Sequence, residues 1–296
     1  VAIALTRDNP SSTSTELSLV EVQDFLREAC HLSPCGDSDG LLGRALQYHF
    51  ESAGGQKRAL IALSAGRSLG LEDADAVTLA ASVELVHNAS LLQDDLQDQS
   101  ATRRGRPAVW VRFGEPAAIG LTNRLLAAAF AALAKIRHPE FLPDLIEKLH
   151  VAVAETAEGQ TADLAGRGNL DAVLASARRK SGPFFALALE MPLITAGFVE
   201  EVTIAHEAAC DFGLGYQIFD DLKDVEADRE AGIGLSLVLA FERESSLAEA
   251  RSRAAAVARQ AFESSIDLAR RLPRDCGGAL VDQAEDLSER LAPHRG

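Results

Sequence analysis

Apolar residues recur at helical spacing along most of this chain, and nowhere in a run of alternating β-branched residues that would compel a strand. Ser18-Leu19-Val20-Glu21 has the form of a capping box and predicts a helix start, with Leu19, Val22, Leu26 and Ala29 on one face. His31 to Gly43, rich in Gly, Ser and Asp, reads as a loop. The helical period resumes at Leu60-Ile61-Ala62-Leu63 and, past Gly70-Leu71-Glu72-Asp73, runs from Ala74 to about Asp98. Between Ala101 and Gly114, Arg103-Arg104-Gly105-Arg106-Pro107 reads as a basic turn. Long helices are expected at roughly 116–136, 140–164, 171–198 and 201–225, with Gly168 and Gly197 as interruptions. Pro183 either kinks its helix or lies near the helix start. Gly232-Ile233-Gly234 marks a loop, 245–272 a further amphipathic helix and 277–291 the last. There is no solenoid-type repeat and no linker. The expected architecture is all-α: a flexible tail over residues 1–16, containing Pro10 to Thr15, and one helical domain over 17–296.

On that helical background one acidic pattern occurs twice, as Asp94-Asp95-Leu96-Gln97-Asp98 and Asp220-Asp221-Leu222-Lys223-Asp224. The first and last acids of each set lie i, i+4 on one helix face, with the middle one about 100° around. Asp runs on helices are commonly a solvated face. Here Val83, Leu85, Val86, Ala89, Leu91 and Leu92 precede the first set, and Phe212, Leu214, Ile218 and Phe219 precede the second. Charges at the end of buried helices need a partner or a metal. Hard carboxylate oxygens suit magnesium, which is usually held by a few acids together with substrate phosphates. The duplicated pattern therefore points to a magnesium–diphosphate site.

Composition narrows the partners. Apolar residues make up 47% of the 296, ample for a core, and the abundance of Ala favours close helix packing. The net charge of −15 argues against nucleic acid, so a polyanionic ligand must be met locally by metal and a few placed cations. Cys30, Cys35, Cys210 and Cys276 have no CxxC spacing and read as thiols of a reducing cytoplasm. No charge-free stretch reaches the length of a membrane span, the start lacks a basic signal-peptide region, and its Val in place of Met reads as either a trimmed start or added leading residues. Neither nucleic acid nor stable membrane insertion is expected.

The run Glu84-Leu-Val-His-Asn-Ala-Ser-Leu-Leu-Gln-Asp-Asp-Leu-Gln-Asp98, followed by Arg103-Arg104-Gly105, closely resembles the trans-type polyprenyl diphosphate synthases. Gly159-Gln160-Thr161-Ala162-Asp163-Leu164, Lys180-Ser181-Gly182 and Gly213-Leu-Gly-Tyr-Gln-Ile-Phe-Asp-Asp-Leu-Lys-Asp224 are similar to family signatures and occur in the family's order. The resemblance covers about residues 54 to 234. It implies a bundle of long antiparallel helices around a deep cavity, usually as a homodimer. It further implies that Asp94, Asp95, Asp98, Asp220, Asp221 and Asp224 hold three Mg2+ ions on the diphosphate of an allylic substrate. The implied reaction is head-to-tail prenyl transfer: diphosphate leaves, isopentenyl diphosphate attacks the allylic cation, and a proton is lost. By the same resemblance Arg103 contacts the allylic diphosphate, Lys57, Arg58, His87 and Arg104 hold isopentenyl diphosphate, and Lys180 and Gln217 lie near the reacting centre. Gln160 is expected to line the site, the alternative being a structural pair with Asp163; Arg103 and Arg104 could instead cap a helix C-terminus.

Three departures from the family pattern stand out. Gly54-Gly55-Gln56-Lys57-Arg58-Ala59-Leu60 has one basic residue fewer than usual and no Pro. Gln93 replaces a frequent His, and Gly232-Ile233 replaces Gly-Lys. Ala89, five residues before Asp94, is too small to block a growing chain, so the floor is assigned to Ala89 and Ser90, with Val86 and Leu85 below. Products of geranylgeranyl length or longer are expected. A non-catalytic subunit of a heteromeric synthase is the alternative, and a terpene cyclase, which would lack the second aspartate set, is a more distant one.

Overall fold

The computed structural model describes residues 20, 22–26, 40–52, 54–164, 170–231 and 236–291. The tail over 1–16, most of the capping box, Cys30, Cys35, Gly168 and Gly232-Ile233-Gly234 lie outside the described residues. Residues 22–26 are helical, with Val22 and Leu26 buried as the pattern requires.

Helix α1 (Leu41–Glu51) begins inside the segment read as a loop. Leu42, Ala45, Leu46 and His49 keep helical spacing there, and Ala45, Leu46 and His49 are buried. The Gly/Ser/Asp content just upstream masked this signal. Helix α2 (Lys57–Leu69) starts three residues before its apolar run and closes at Gly70 in the left-handed region. Helix α3 (Asp73–Gln97) is buried over most of its circumference and ends in the first acidic set. The basic turn is a minimal hairpin, β1 (Thr102–Arg103) against β2 (Arg106–Pro107). Arg104 and Gly105 both have positive φ, as a two-residue primed turn demands.

The chain continues through α4 (Val109–Phe113), α5 (Glu115–Leu133), α6 (Leu142–Leu164), α7 (Leu170–Thr195), α8 (Val202–Ala231), α9 (Leu237–Glu242), α10 (Leu247–Ala269) and α11 (Gly278–Arg290). Among the described residues the only strands are the two of this hairpin. Helix α3 packs on α2, α5 and α7, while α8 lies against α7 and α10. Pro183 is inside α7, frees the Arg179 carbonyl from its helical bond, and sits where α7 meets α8 most closely. A Cβ on Gly213 would come within 2.6 Å of the Gly182 Cα, so this crossing needs glycine. Below it, Phe185 and Phe212 pack edge to face with centroids 4.7 Å apart. Cys210 and Cys276 are both free and buried.

Helix α8 outlasts its expected end by six residues, so the second acidic set lies mid-helix rather than at a terminus. The extra turns are held by tertiary pairing: Val225 is fully buried, and Arg229 pairs with Glu226 and with Glu242 of α9. Only the first set has the helix-end position that the sequence pattern suggested for both.

Candidate active site

One cavity of about 320 Å³ lies among the start of α2, the C-terminal half of α3, the middle of α7 and the hairpin, with α8 as its far wall. Lys57, Arg58, His87, Asp94, Arg103, Arg104, Lys180, Gln217 and Asp220 all line it. The structure thus gathers residues from five separate sequence motifs at one surface. Asp95, Asp98, Asp221, Asp224 and Gln160 do not line this cavity.

The six aspartates have different surroundings. Asp95 is buried and turned to the hairpin, where Arg103 Nε donates to Oδ1 and Oδ2 at 2.8 and 3.0 Å. Asp98 accepts from Gln160 Nε2 at 2.9 Å. Asp221 accepts from Gln217 Nε2 at 3.1 Å and from the Leu237 amide at 3.1 Å. Asp220 is paired with Lys223 at 3.0 Å, and Asp224 is exposed. The Asp94 side chain makes no hydrogen bond or ion pair among the described residues. Burial, opposed by attraction from Lys180 and reinforced by repulsion from Asp98 and Asp95, pushes its carboxyl up to about 6. Burial likewise raises the pKa of Asp95, Asp98 and Asp220.

On the cationic side, Arg58 is buried, donates from Nη1 to His87 Nε2 at 3.2 Å and lies 3.9 Å from the Phe185 ring centroid. Burial and then the Arg58 charge hold the His87 pKa well below its usual value, so His87 is a neutral ring at physiological pH. Lys57 Nζ stands 5.5 Å from the Tyr216 ring centroid. Arg104 donates to the Ser52 carbonyl at the C-terminal end of α1, so it caps a helix and borders the cavity together. A Cβ on Gly54 would fall 2.3 Å from Arg104 Nη2, so a larger residue there would shift the Arg104 guanidinium. Burial works against the Lys180 ammonium, yet Asp163 at 2.8 Å, with Asp94 and Asp98 behind it, keeps its pKa above the ordinary lysine value. Gln160 and Asp163 are therefore not a pair with each other; Gln160 steadies Asp98 and Asp163 steadies Lys180. Gln217 accepts from the Ser181 hydroxyl at 2.9 Å.

Three residues of the cavity were not singled out from sequence. Glu84 is buried beside Arg58 with Oε2 unpartnered, Tyr216 faces Lys57, and Phe184 forms part of the wall. Glu84 precedes His87 by three and Asn88 by four, a helical spacing that could have placed it on the same face.

A second, smaller pocket of about 40 Å³ continues below Asp94, lined by Val86, Ala89, Ser90, Leu126, Val153 and Phe184, with Thr156 and Gln160 at its polar edge. Ser90, Asp94 and Phe184 border both cavities. Gln160 thus lines this lower pocket and not the upper one. Leu85 is fully buried but lines neither.

The donor set fits a hard divalent cation. Asp94 is a half-buried carboxylate whose side chain has no hydrogen-bond or ion-pair partner among the described residues and has carboxylate neighbours, and a cation would relieve both costs. Among the described residues no three acidic, imidazole or thiol groups already form a metal cage. Ligand phosphate oxygens would have to complete the coordination, as is usual for magnesium.

Comparison with known proteins agrees with this geometry. The polyprenyl synthetase family pattern matches residues 39–234, and the chain belongs to that family, whose members are prenyltransferases that use Mg2+. A short chain isoprenyl diphosphate synthase of Methanothermobacter thermautotrophicus is 32% identical over 226 residues, covering 72% of this chain and 69% of that protein. A probable farnesyl diphosphate synthase of Bradyrhizobium diazoefficiens is 37% identical over 216 residues, covering 67% of this chain and 64% of that protein. The solved geranylgeranyl pyrophosphate synthetase of the archaeon Geoglobus acetivorans superposes with a TM-score of 0.81 at 25% identity, over 93% of this chain and 98% of that one. The decaprenyl diphosphate synthase of Rhodobacter capsulatus shares the fold, with a TM-score of 0.79 at 22% identity over 95% and 98% of the two chains. Names among the relatives range from farnesyl to octaprenyl diphosphate synthase, so they do not select a product length.

Proposed function

We propose that this protein condenses isopentenyl diphosphate head-to-tail with an allylic diphosphate, with three magnesium ions, to give a trans-prenyl diphosphate of geranylgeranyl length or longer. The observation that carries the reading is the convergence of Asp94 and Asp220, from the two acidic sets, on one cavity with Lys57, Arg58, Arg103, Arg104 and Lys180. Bound between these acids and a substrate diphosphate, magnesium would neutralise the leaving group's developing charge.

The chain's own groups have separable tasks in this account. Arg103 and Lys180 face the allylic diphosphate and balance its departing charge, with Arg103 fixed by Asp95 and Lys180 by Asp163. Arg58, Lys57 and Arg104 hold isopentenyl diphosphate, and neutral His87 serves as a hydrogen-bonding group rather than a cation. Gln217, oriented by Ser181, directs its amide dipole toward the reacting carbons. Phe184, Val86 and Ala89 keep water from the allylic cation. The departing diphosphate can take the final proton, since no side-chain base is assigned. His87→Ala is expected to raise the KM for isopentenyl diphosphate more than that for the allylic substrate. Steady-state kinetics with each substrate varied in turn measures this, and an equal or reversed effect means the two subsites are exchanged.

Product length is assigned to Ala89 and Ser90, with Val86 below them, because these residues form one wall of the lower pocket. Leu85, outside that pocket, is given no part. Filling the pocket by Ala89→Phe is expected to shorten the product by at least one isoprene unit. Mass analysis of the products checks this, and an unchanged product places the floor elsewhere, on α5 or α6.

A homodimer is the proposed assembly. Helix α5 is long and apolar enough to cross a membrane by composition alone, yet only 44% of that window is buried within the chain. Ile119 on α5 and Ile146 and Val151 on α6 are each 41% exposed or more, apolar side chains that a second copy would cover. Free Cys210 and Cys276 support a reducing, cytoplasmic setting. The function is tested by incubating the purified protein with magnesium, isopentenyl diphosphate and dimethylallyl, geranyl or farnesyl diphosphate in turn. A longer diphosphate supports the proposal. A cyclic hydrocarbon would make the protein a cyclase, and a folded protein inert with all three primers would make it a non-catalytic subunit.

A further inference from the structure

A line of polar contacts runs outside both cavities, across α6, α7 and α8. Lys148 Nζ donates to Glu190 Oε1 at 3.1 Å, and His206 Nδ1 lies 3.0 Å from the same oxygen. On its other side, His206 Nε2 lies 3.4 Å from Cys210 Sγ, one helical turn along α8. Both imidazole nitrogens are engaged, in opposite directions, so carboxylate, imidazole and thiol cannot converge on one ion. Their order is instead that of an activated nucleophile: thiol, base, and an acid that orients the base. Hydrogen bonds to Cys210 and Glu190, against burial, push His206 up to about 10, so the ring is cationic at neutral pH. The ring stands 3.4 Å from the sulfur, so a thiolate that attacks an oxidant has a proton donor at hand. The prenyl-transfer reading uses none of these four residues.

We propose that Cys210 is a covalent modification site for small hydroperoxides, served by the Glu190–His206 relay. In the reaction the Cys210 thiolate attacks a terminal peroxide oxygen, forming an S–O bond as the O–O bond breaks. Sulfur is oxidised by two electrons and the peroxide is reduced. The leaving alkoxide or hydroxide takes the proton of the His206 imidazolium, giving a sulfenic acid, neutral imidazole and an alcohol or water. Cys210 is 5% exposed, while the His206 side chain beside it is 38% exposed.

The site's position gives the modification a consequence. Cys210 Sγ lies 2.9 Å from where a Cβ on Gly182 would stand, so the sulfur abuts the α7 backbone there. The two preceding residues are Ser181, bonded to Gln217, and Lys180, bonded to Asp163. An added oxygen on Sγ presses on this stretch and displaces both contacts, so the oxidised enzyme loses prenyl transfer. This last consequence rests on the function proposed above; the modification does not.

Cys276 supplies an internal control: it is buried with no imidazole partner, and burial pushes its thiol up to about 12. The folded protein is treated with hydrogen peroxide, freed of oxidant, unfolded in dimedone and mapped by mass spectrometry. Cys210 is expected to carry at least about ten times the adduct of Cys276, and His206→Gln to remove that excess. Comparable labelling of the two cysteines in the wild type overturns the proposal, whatever the stability of the variant. So does undiminished Cys210 labelling in a folded His206→Gln protein. Activity is expected to fall in step with Cys210 labelling, to return with dithiothreitol, and to resist peroxide in Cys210→Ala. Inactivation that persists in Cys210→Ala overturns the coupling to α7. If the untreated protein shows no prenyl transfer, the function fails while the labelling result still decides the site.

Discussion

Asp94→Asn is expected to lower kcat by about a thousandfold or more, roughly 4 kcal/mol of transition-state stabilisation, while making the metal-free protein more stable at neutral pH. The opposed signs have one cause. Asp94 is a half-buried carboxylate on which desolvation and the like charges of Asp98 and Asp95 outweigh Lys180, with its pKa raised from 3.8 to about 6. Above pH 6 its charge opposes folding in the metal-free protein, and amide replacement removes that cost. Between about pH 6 and pH 4 the folded wild type binds a proton that the unfolded chain does not. The stability gap between wild type and Asp94→Asn therefore closes as pH falls through that window. Thermal melts of both proteins in chelator, at about pH 7 and about pH 5, measure the gap. Asp220→Asn is expected to match the loss in kcat, since Asp220 faces the same cavity from α8. Near-normal turnover of either folded variant at saturating magnesium contradicts a shared metal site.

The second large effect is on stability. Arg58→Met is expected to cost about 3 kcal/mol, of the order seen when a buried charge loses its compensating cation, although Arg58 and Glu84 act on each other through space and not through a direct ion pair. Burial raises the Glu84 pKa, the Arg58 charge is the largest influence opposing that rise, and Glu84 Oε2 has no hydrogen bond. Methionine would fill part of the space over Phe185 but leave that carboxylate uncompensated. Arg58→Met combined with Glu84→Gln should regain much of the loss, although isopentenyl diphosphate binding stays weak. Denaturant unfolding of the single and double variants separates the two terms. A loss below about 1 kcal/mol in Arg58→Met would mean that Glu84 is folded in its neutral form.

What could be read in the sequence was what local pattern encodes. The duplicated acids, the Lys180-Ser181-Gly182 segment and the helical period of α3, α7 and α8 are all local, and their residues meet at one cavity. Features set by tertiary contact were not legible. Helix α1 lies behind a loop-like composition, and its buried face becomes meaningful only against α5. Helix α8 runs on to Ala231 because Arg229 reaches Glu242 on another helix. Asp95 looked equivalent to Asp94, but the hairpin folds back and brings Arg103 onto it. Leu85, one helical turn before Ala89 and on nearly the same face, lies beyond the pocket, whose reach along this helix depends on the side chains packed from the neighbouring helices. Phe184 borders both cavities only because the Gly182–Gly213 crossing brings α7 and α8 so close together.

The central claim, elongation by isopentenyl diphosphate, is tested most directly by stoichiometry in a single reaction. Carbon-labelled isopentenyl diphosphate is supplied with magnesium and unlabelled geranyl diphosphate, and released inorganic diphosphate is counted against label incorporated into longer prenyl diphosphates. The account predicts one diphosphate released for every labelled unit incorporated, at every time point. Diphosphate released without label in the product, as cyclisation or hydrolysis of the allylic substrate would give, contradicts it.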